Sequence, residues 1–243
     1  MPNSQKVDIL SFAAHPDDSE ISAGGSIAKA IAEGRKVGLI DLTAGELGSR
    51  GSAELRAEES AKADEILGIT LRENLGLRDG FFEHNEESLT LIIQSIRKYR
   101  PEIILCNAPS DRHPDHGRAS KLVSEASFYA GLVKIATKDE SGEHQEAWRP
   151  KAVYHYVQDY YLKPDFVIDV TAFWDKKIEA LKCYSSQFFD AKSKEPITPI
   201  SGAEFFEFLK GRALQMGRPA GFLLAEGFIV DRTIGVDSFF ALR

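Results

Sequence analysis

The feature that most constrains this chain is an apolar run, Val7 to Ala14, that stops abruptly at His15-Pro16-Asp17-Asp18. Such a run predicts a strand buried on both faces, as in a parallel sheet, and its sudden end predicts a loop at the strand's carboxyl terminus. The chain then keeps a strand–helix rhythm. Ile21 to Gly34 is rich in Ala and Ile and closes on glycine, which predicts a helix. Lys36 to Thr43 predicts the next strand, and Ala44 to Ser52 a loop punctuated by Gly45, Gly48 and Gly51. Ala53 to Leu67 predicts a helix stopped by Gly68, and Ile69 to Leu75 a short strand. Leu89, Ile92, Ile93, Ile96 and Tyr99 share one helical face ahead of Pro101. Glu102 to Cys106 then predicts a strand, and Leu122, Ala126, Tyr129 and Val133 mark the stripe of a long helix. This alternation implies right-handed crossovers and an α/β fold: a Rossmann-like, mostly parallel sheet with helices on both faces.

The second half is less regular and reads as a C-terminal elaboration of a single domain spanning residues 1–243. Val153 to Val157, Phe166 to Val170 and Leu223 to Val230 predict strands, and Thr171 to Tyr184 and Glu204 to Met216 predict helices. Lys138 to Pro150 predicts a surface loop, and Asp190 to Ser201, with Pro196 and Pro199, a mobile one.

Bulk properties exclude several classes of function. A net charge of −7 offers no basic field, so no nucleic-acid partner is expected. Cys106 and Cys183 are too few for a disulfide framework, and there is neither a long apolar segment nor a signal-peptide pattern. The expectation is a cytoplasmic protein without a membrane partner. Self-association into a homo-oligomer is also expected. Phe205, Phe206 and Phe208 can line such an interface, although core packing is the commoner fate of such residues.

In an open parallel sheet, ligands bind outside the carboxyl ends of the strands. Two clusters of metal-capable residues stand at such ends: His15-Pro16-Asp17-Asp18, and Asp111-Arg112-His113-Pro114-Asp115-His116 after the Glu102 to Cys106 strand. If those strands are neighbours, the clusters face each other. His15 and Asp18 from one, with His116 from the other, make a His₂Asp set that leaves a metal position open for water. Asp17 is then placed to act as general base. Asp115 can orient His113 and favour its imidazolium form, to stabilise an oxyanion or protonate a leaving amine. The same ligands suit ferrous iron as well as zinc. Either tetrapeptide alone is also ordinary turn and helix-cap chemistry; the two together argue for a site.

At these residues the sequence resembles the PIG-L/LmbE-type family of zinc-dependent N-acetylglucosaminyl deacetylases, through Ala14-His15-Pro16-Asp17-Asp18 and His113-Pro114-Asp115-His116. The resemblance implies zinc on His15, Asp18 and His116, Asp17 as base, His113 as the oxyanion group, and a Rossmann-like fold. Asp41 to Gly51, Tyr184-Ser185-Ser186-Gln187-Phe188, Ala225-Glu226-Gly227-Phe228 and the Ser19 that separates Asp18 from Glu20 resemble one branch of it. That branch deacetylates N-acetylglucosaminyl malate for bacillithiol synthesis. A small glycoside carrying two carboxylates needs local cations, and Arg50, Arg56 and Arg112 are the candidates. Asn74 and Asp79 are weaker candidates for sugar hydroxyls. The nearest rival is the same chemistry on a mycothiol-type or other N-acetyl sugar. A non-hydrolytic nucleotide-binding module is disfavoured because no Gly-x-Gly-x-x-Gly follows the first strand.

Overall fold

A computed structural model describes residues 6–188 and 193–241. Among the described residues, seven strands form one sheet in the order β3-β2-β1-β4-β5-β7-β6. β1 (Ile9–Ala13), β2 (Val37–Asp41), β3 (Leu71–Asn74), β4 (Ile103–Cys106) and β5 (Ala152–Tyr156) are parallel. β7 (Ala225–Val230) runs antiparallel between β5 and β6 (Phe166–Asp169). The expected α/β architecture is therefore present, with its antiparallel strands confined to the less regular half.

Alternation along β1 shows how the sheet is covered. Leu10 and Phe12 point into a core shared with α3 (Glu86–Tyr99) and α4 (Pro114–Ala130). Ser11, on the other face, meets Ser19 of α1 (Asp18–Ala32) at 2.8 Å. That second face is also covered by α2 (Ala53–Leu67) and α5 (Trp174–Leu181), around Ala28, Ala63, Leu67 and Leu181. The final helix, α6 (Phe205–Gly217), packs on β7 and feeds Phe205 and Leu209 into the same core. Phe205 is therefore core, Phe206 is partly buried, and Phe208 stays about half exposed.

α2 and α3 are capped by the side chains of Ser52 and Asn85, which accept from Leu55 N and Ser88 N. α1 starts earlier than its apolar pattern suggests, at Asp18 rather than Ile21. Part of the expected mobile loop, residues 190–192, lies outside the described residues. Among the described residues, no helix is long and apolar enough to cross a membrane.

The sheet order contains a reversal. From β1 the chain proceeds to β2 and β3 on one side, then returns to place β4 and β5 on the other. Such a switch point opens a crevice at the carboxyl edge. The two His–Asp clusters flank it, because β1 pairs directly with β4.

Candidate active site

The turn after β1 delivers His15, Asp17 and Asp18 within one tight bend. Asp17 sits at the N-cap of α1 with φ 106°, a left-handed backbone that costs energy for a residue with a Cβ. Asp18 follows as the first helical residue, its Oδ2 accepting from the His15 N–H at 2.9 Å. On the other side of the crevice, His113 caps α4 and Pro114 begins it, so His116 lies on the first turn.

The donor atoms converge. Asp18 Oδ1 is 3.2 Å from His116 Nε2, and Asp18 Oδ2 is 3.5 Å from His15 Nδ1. The remaining imidazole nitrogens are each held by a carboxylate. His15 Nε2 lies 2.9 Å from Asp79 Oδ1, and His116 Nδ1 bonds Asp111 Oδ2. That is the outer arrangement expected of metal-binding histidines, whose free nitrogen is fixed by a second group. Electrostatics agree. Burial disfavours charge on both imidazoles. Around His15 the carboxylates Asp115, Asp18 and Asp79 nevertheless raise the pKa well above its ordinary value, and around His116 Asp18 and Asp111 raise it to about 9. The crevice favours positive charge, which a divalent cation supplies while leaving both rings neutral. The donor set present therefore fits such an ion.

Among the described residues, two other groupings gather ligand atoms within 4.8 Å: His15 with His113 and His116, and His15 with Asp79 and Asp115. The carboxylates of the second are already engaged. Asp79 Oδ2 accepts from Leu47 N; Asp115 Oδ2 accepts from Gly80 N, and its Oδ1 pairs with Arg118 at 2.7 Å.

Asp17 is buried and lines the crevice. Burial raises its carboxyl to about 7 despite the opposing charge of Arg56, and Asp18 adds to the rise. His113 differs from the sequence expectation. Its Nδ1 accepts the Asp115 backbone N–H at 3.3 Å, so the ring proton belongs on Nε2. Burial and the positive charge of His15 and His116 lower its pKa, which favours neutral imidazole over imidazolium. The Asp115 carboxylate does not orient it; that group lies 3.4 Å from His15 Nε2 instead.

The crevice continues outward as a cavity of about 300 Å³. Two of the three candidate arginines line it. Arg56 reaches it through the glycine loop, where a Cβ on Gly45 would collide with the guanidinium, and it bonds the Gln187 side chain. Arg112 donates Nε to Asp159 Oδ2 at 2.9 Å. Arg50 is placed elsewhere. It is buried and donates to the carbonyls of Ser186 and Pro196, tying down a distant segment rather than facing the cavity. Asn74 likewise bonds Thr43 O and Gly76 N, and Asp79 serves His15 rather than a free hydroxyl position. In the Tyr184 to Phe188 stretch only Gln187 lines the cavity; Tyr184 is buried with its hydroxyl on Glu20.

Sequence reasoning missed the outer wall. Arg212, Phe208 and Leu209 of α6, with Ile200, complete the cavity, and Arg212 donates to Asp159 O. Its signal was the helical stripe Phe205, Phe208, Leu209, Arg212, whose apolar members read as core until the first turns of α6 are known to lie along the crevice.

Fold and site together define an α/β protein with a buried His–Asp centre at the switch point of its sheet. The family model described as PIG-L: GlcNAc-PI de-N-acetylase matches residues 10–127, which span both clusters. The diacetylchitobiose deacetylase of Thermococcus kodakarensis is 30% identical over 231 residues, covering 90% of this chain and 81% of that protein. A 4-oxalmesaconate hydratase of Pseudomonas putida is 28% identical over 202 residues, covering 76% of each. Among solved structures, the conserved protein TT1542 from Thermus thermophilus superposes with a TM-score of 0.83 at 33% identity, over 96% of this chain and 98% of that one. The chain belongs to the PIG-L family of de-N-acetylases.

Proposed function

We propose that this protein is a zinc-dependent N-deacetylase that releases acetate from N-acetylglucosaminyl malate, the step that frees a glucosaminyl amine in bacillithiol synthesis. The observation that carries the chemistry is the buried Asp17 carboxylate beside the converging His15, Asp18 and His116 donors. Zinc bound there, by those three residues, would acidify a water molecule and polarise the acetamido carbonyl.

The protein's own groups do the rest. Asp17 takes a proton from the attacking water and returns it to the nitrogen as the C–N bond breaks. His113, neutral and with its proton on Nε2, donates to the carbonyl oxygen as that oxygen becomes anionic. Asp79 and Asp111 hold the histidine rings in the tautomers that point Nδ1 of His15 and Nε2 of His116 inward. Arg56 and Arg112, both lining the cavity, supply the cations for the two malate carboxylates. The choice of malate rests on those arginines and on the branch-type motifs of the sequence.

The test is acetate release from N-acetylglucosaminyl malate by the purified protein, before and after chelation and zinc add-back. Turnover that is absent with this substrate but present with other N-acetyl sugars would retain the chemistry and discard malate. A second reading has one specific support, the hydratase among the relatives. Loss of conjugation in an unsaturated dicarboxylate, followed by ultraviolet absorbance with no acetate released from any amide, would favour it.

A further inference from the structure

Asp18 is enclosed by two side-chain amides from strands that the proposed mechanism does not use. Asn107, the residue after β4, donates Nδ2 to Asp18 Oδ2 at 3.0 Å. Gln158, just beyond β5, donates Nε2 to Asp18 Oδ1 at 2.8 Å. The two amides also hold each other, Asn107 Nδ2 reaching Gln158 Oε1 at 2.8 Å. Asn107 Oδ1 accepts from Ala14 N at 2.9 Å, so the same side chain fixes the backbone that leads into His15. Both residues are almost wholly buried. Behind Asn107, its carbonyl lies 3.1 Å from His155 Nδ1.

This amide pair orients the carboxylate and limits what it can offer. Oδ2 already takes two N–H bonds, from His15 N and Asn107 Nδ2. Oδ1 takes one from Gln158 and faces His116 Nε2, so one oxygen retains a lone pair for an ion. Amide donors serve the ionised form, which is the form a metal needs. We propose that Asn107 and Gln158 are positioning residues that hold Asp18 in ligating geometry and tune metal affinity, joining β4 and β5 to the β1 turn. This rests on the reading of His15, Asp18 and His116 as metal ligands.

The test is zinc affinity, by competition with a chromophoric chelator, in Gln158→Met and Asn107→Asp proteins. Gln158→Met removes the donor to Oδ1 at similar volume. Asn107→Asp keeps the acceptor for Ala14 N but turns a second carboxylate toward Asp18. Loss of an outer partner of a metal ligand costs on the order of 10–100-fold in affinity. That loss is expected in both variants, while Gln158→Met keeps the native circular-dichroism spectrum of the metal-free protein. Affinities within about twofold of wild type in folded variants would overturn the role. If Asn107→Asp does not fold, Gln158→Met decides alone. Absence of zinc binding by the wild-type protein would instead overturn the ligand assignment itself.

Discussion

Lys177 Nζ of α5 lies 2.6 Å from Glu226 Oε1 of β7, and both side chains are withdrawn from solvent. The same carboxylate accepts the N–H groups of Gly25 and Ser26 within α1, at 3.0 and 2.7 Å. One side chain thus ties three elements together, and a Cβ on Gly25 would collide with Val170 at 2.7 Å. Removing one partner of a buried ion pair costs about 3–5 kcal/mol, because the other charge is left uncompensated. Glu226→Ala should therefore lower the thermal midpoint by roughly 10 °C for a chain of this size. Lys177→Met combined with Glu226→Leu should recover part of the loss, but not all, because the bonds that Glu226 accepts from the Gly25 and Ser26 N–H groups are not replaced. A single Glu226→Ala variant with wild-type stability in a thermal scan would contradict this.

Asp17 is expected to set the acidic limb of activity. Its carboxyl is raised to about 7 by burial, and a nearby cation will bring it down. Activity, expressed as kcat/KM, should rise with pH through an apparent pKa at or below about 7. Asp17→Asn should keep zinc and lose about 100- to 10,000-fold in kcat. A pH–rate profile whose acidic limb survives unchanged in that variant would assign the limb to another group.

Arg112 is expected to act on binding rather than chemistry. A hydrogen bond to a charged group contributes about 1.5–3 kcal/mol, or roughly 10–100-fold. Arg112→Met should raise KM for N-acetylglucosaminyl malate by that factor with little change in kcat. Turnover of an N-acetylglucosaminide lacking carboxylates should be unaffected. Equal losses on both substrates would show that Arg112 supports the loop through Asp159 instead.

His155 links stability to pH. It is buried on β5, with Nε2 at 2.9 Å from Asp231 Oδ1 and Nδ1 at 2.8 Å from Ser120 Oγ. Burial disfavours its charge, but Cys106 and Asp231 outweigh that and raise the pKa to about 11. The raised value means the stabilisation is complete below the ordinary histidine pKa near 6.5 and is lost as pH rises towards 11. His155→Gln should be less stable than wild type at pH 7, with the difference narrowing at alkaline pH. Denaturant titrations of both proteins across that range test it; a constant gap would disprove the linkage.

Much of this was legible in the sequence. Apolar runs and helical stripes located the strands and helices because both are local patterns, and the rule that ligands collect at carboxyl edges brought the two clusters together once β1 and β4 paired. What escaped was set by contacts distant in sequence. Arg50 looked like a loop cation near substrate, yet its partners are carbonyls of residues 186 and 196. Asp115 sits two residues from His113, but α4 turns its carboxylate towards His15 and Gly80 and leaves only its N–H for His113. Asn107 and Gln158 lie at visible strand ends, but nothing in an amide's identity announces that it faces an aspartate 89 or 140 positions away.

The position of β7 bears on how the molecule is made. Among the described residues it is the last strand, yet it lies between β5 and β6, and β6 pairs with β7 alone. As the polypeptide leaves the ribosome, everything needed for β1 through β5 and for His15, Asp18 and His116 emerges first. β6 then waits without a neighbour until residue 225 and beyond are free. The interval exposes an unpaired strand edge, the kind of surface that chaperones shield and that invites aggregation. Closure of that edge and the seating of Glu226 against α1 are therefore a single late event, set by the emergence of β7 rather than of β6.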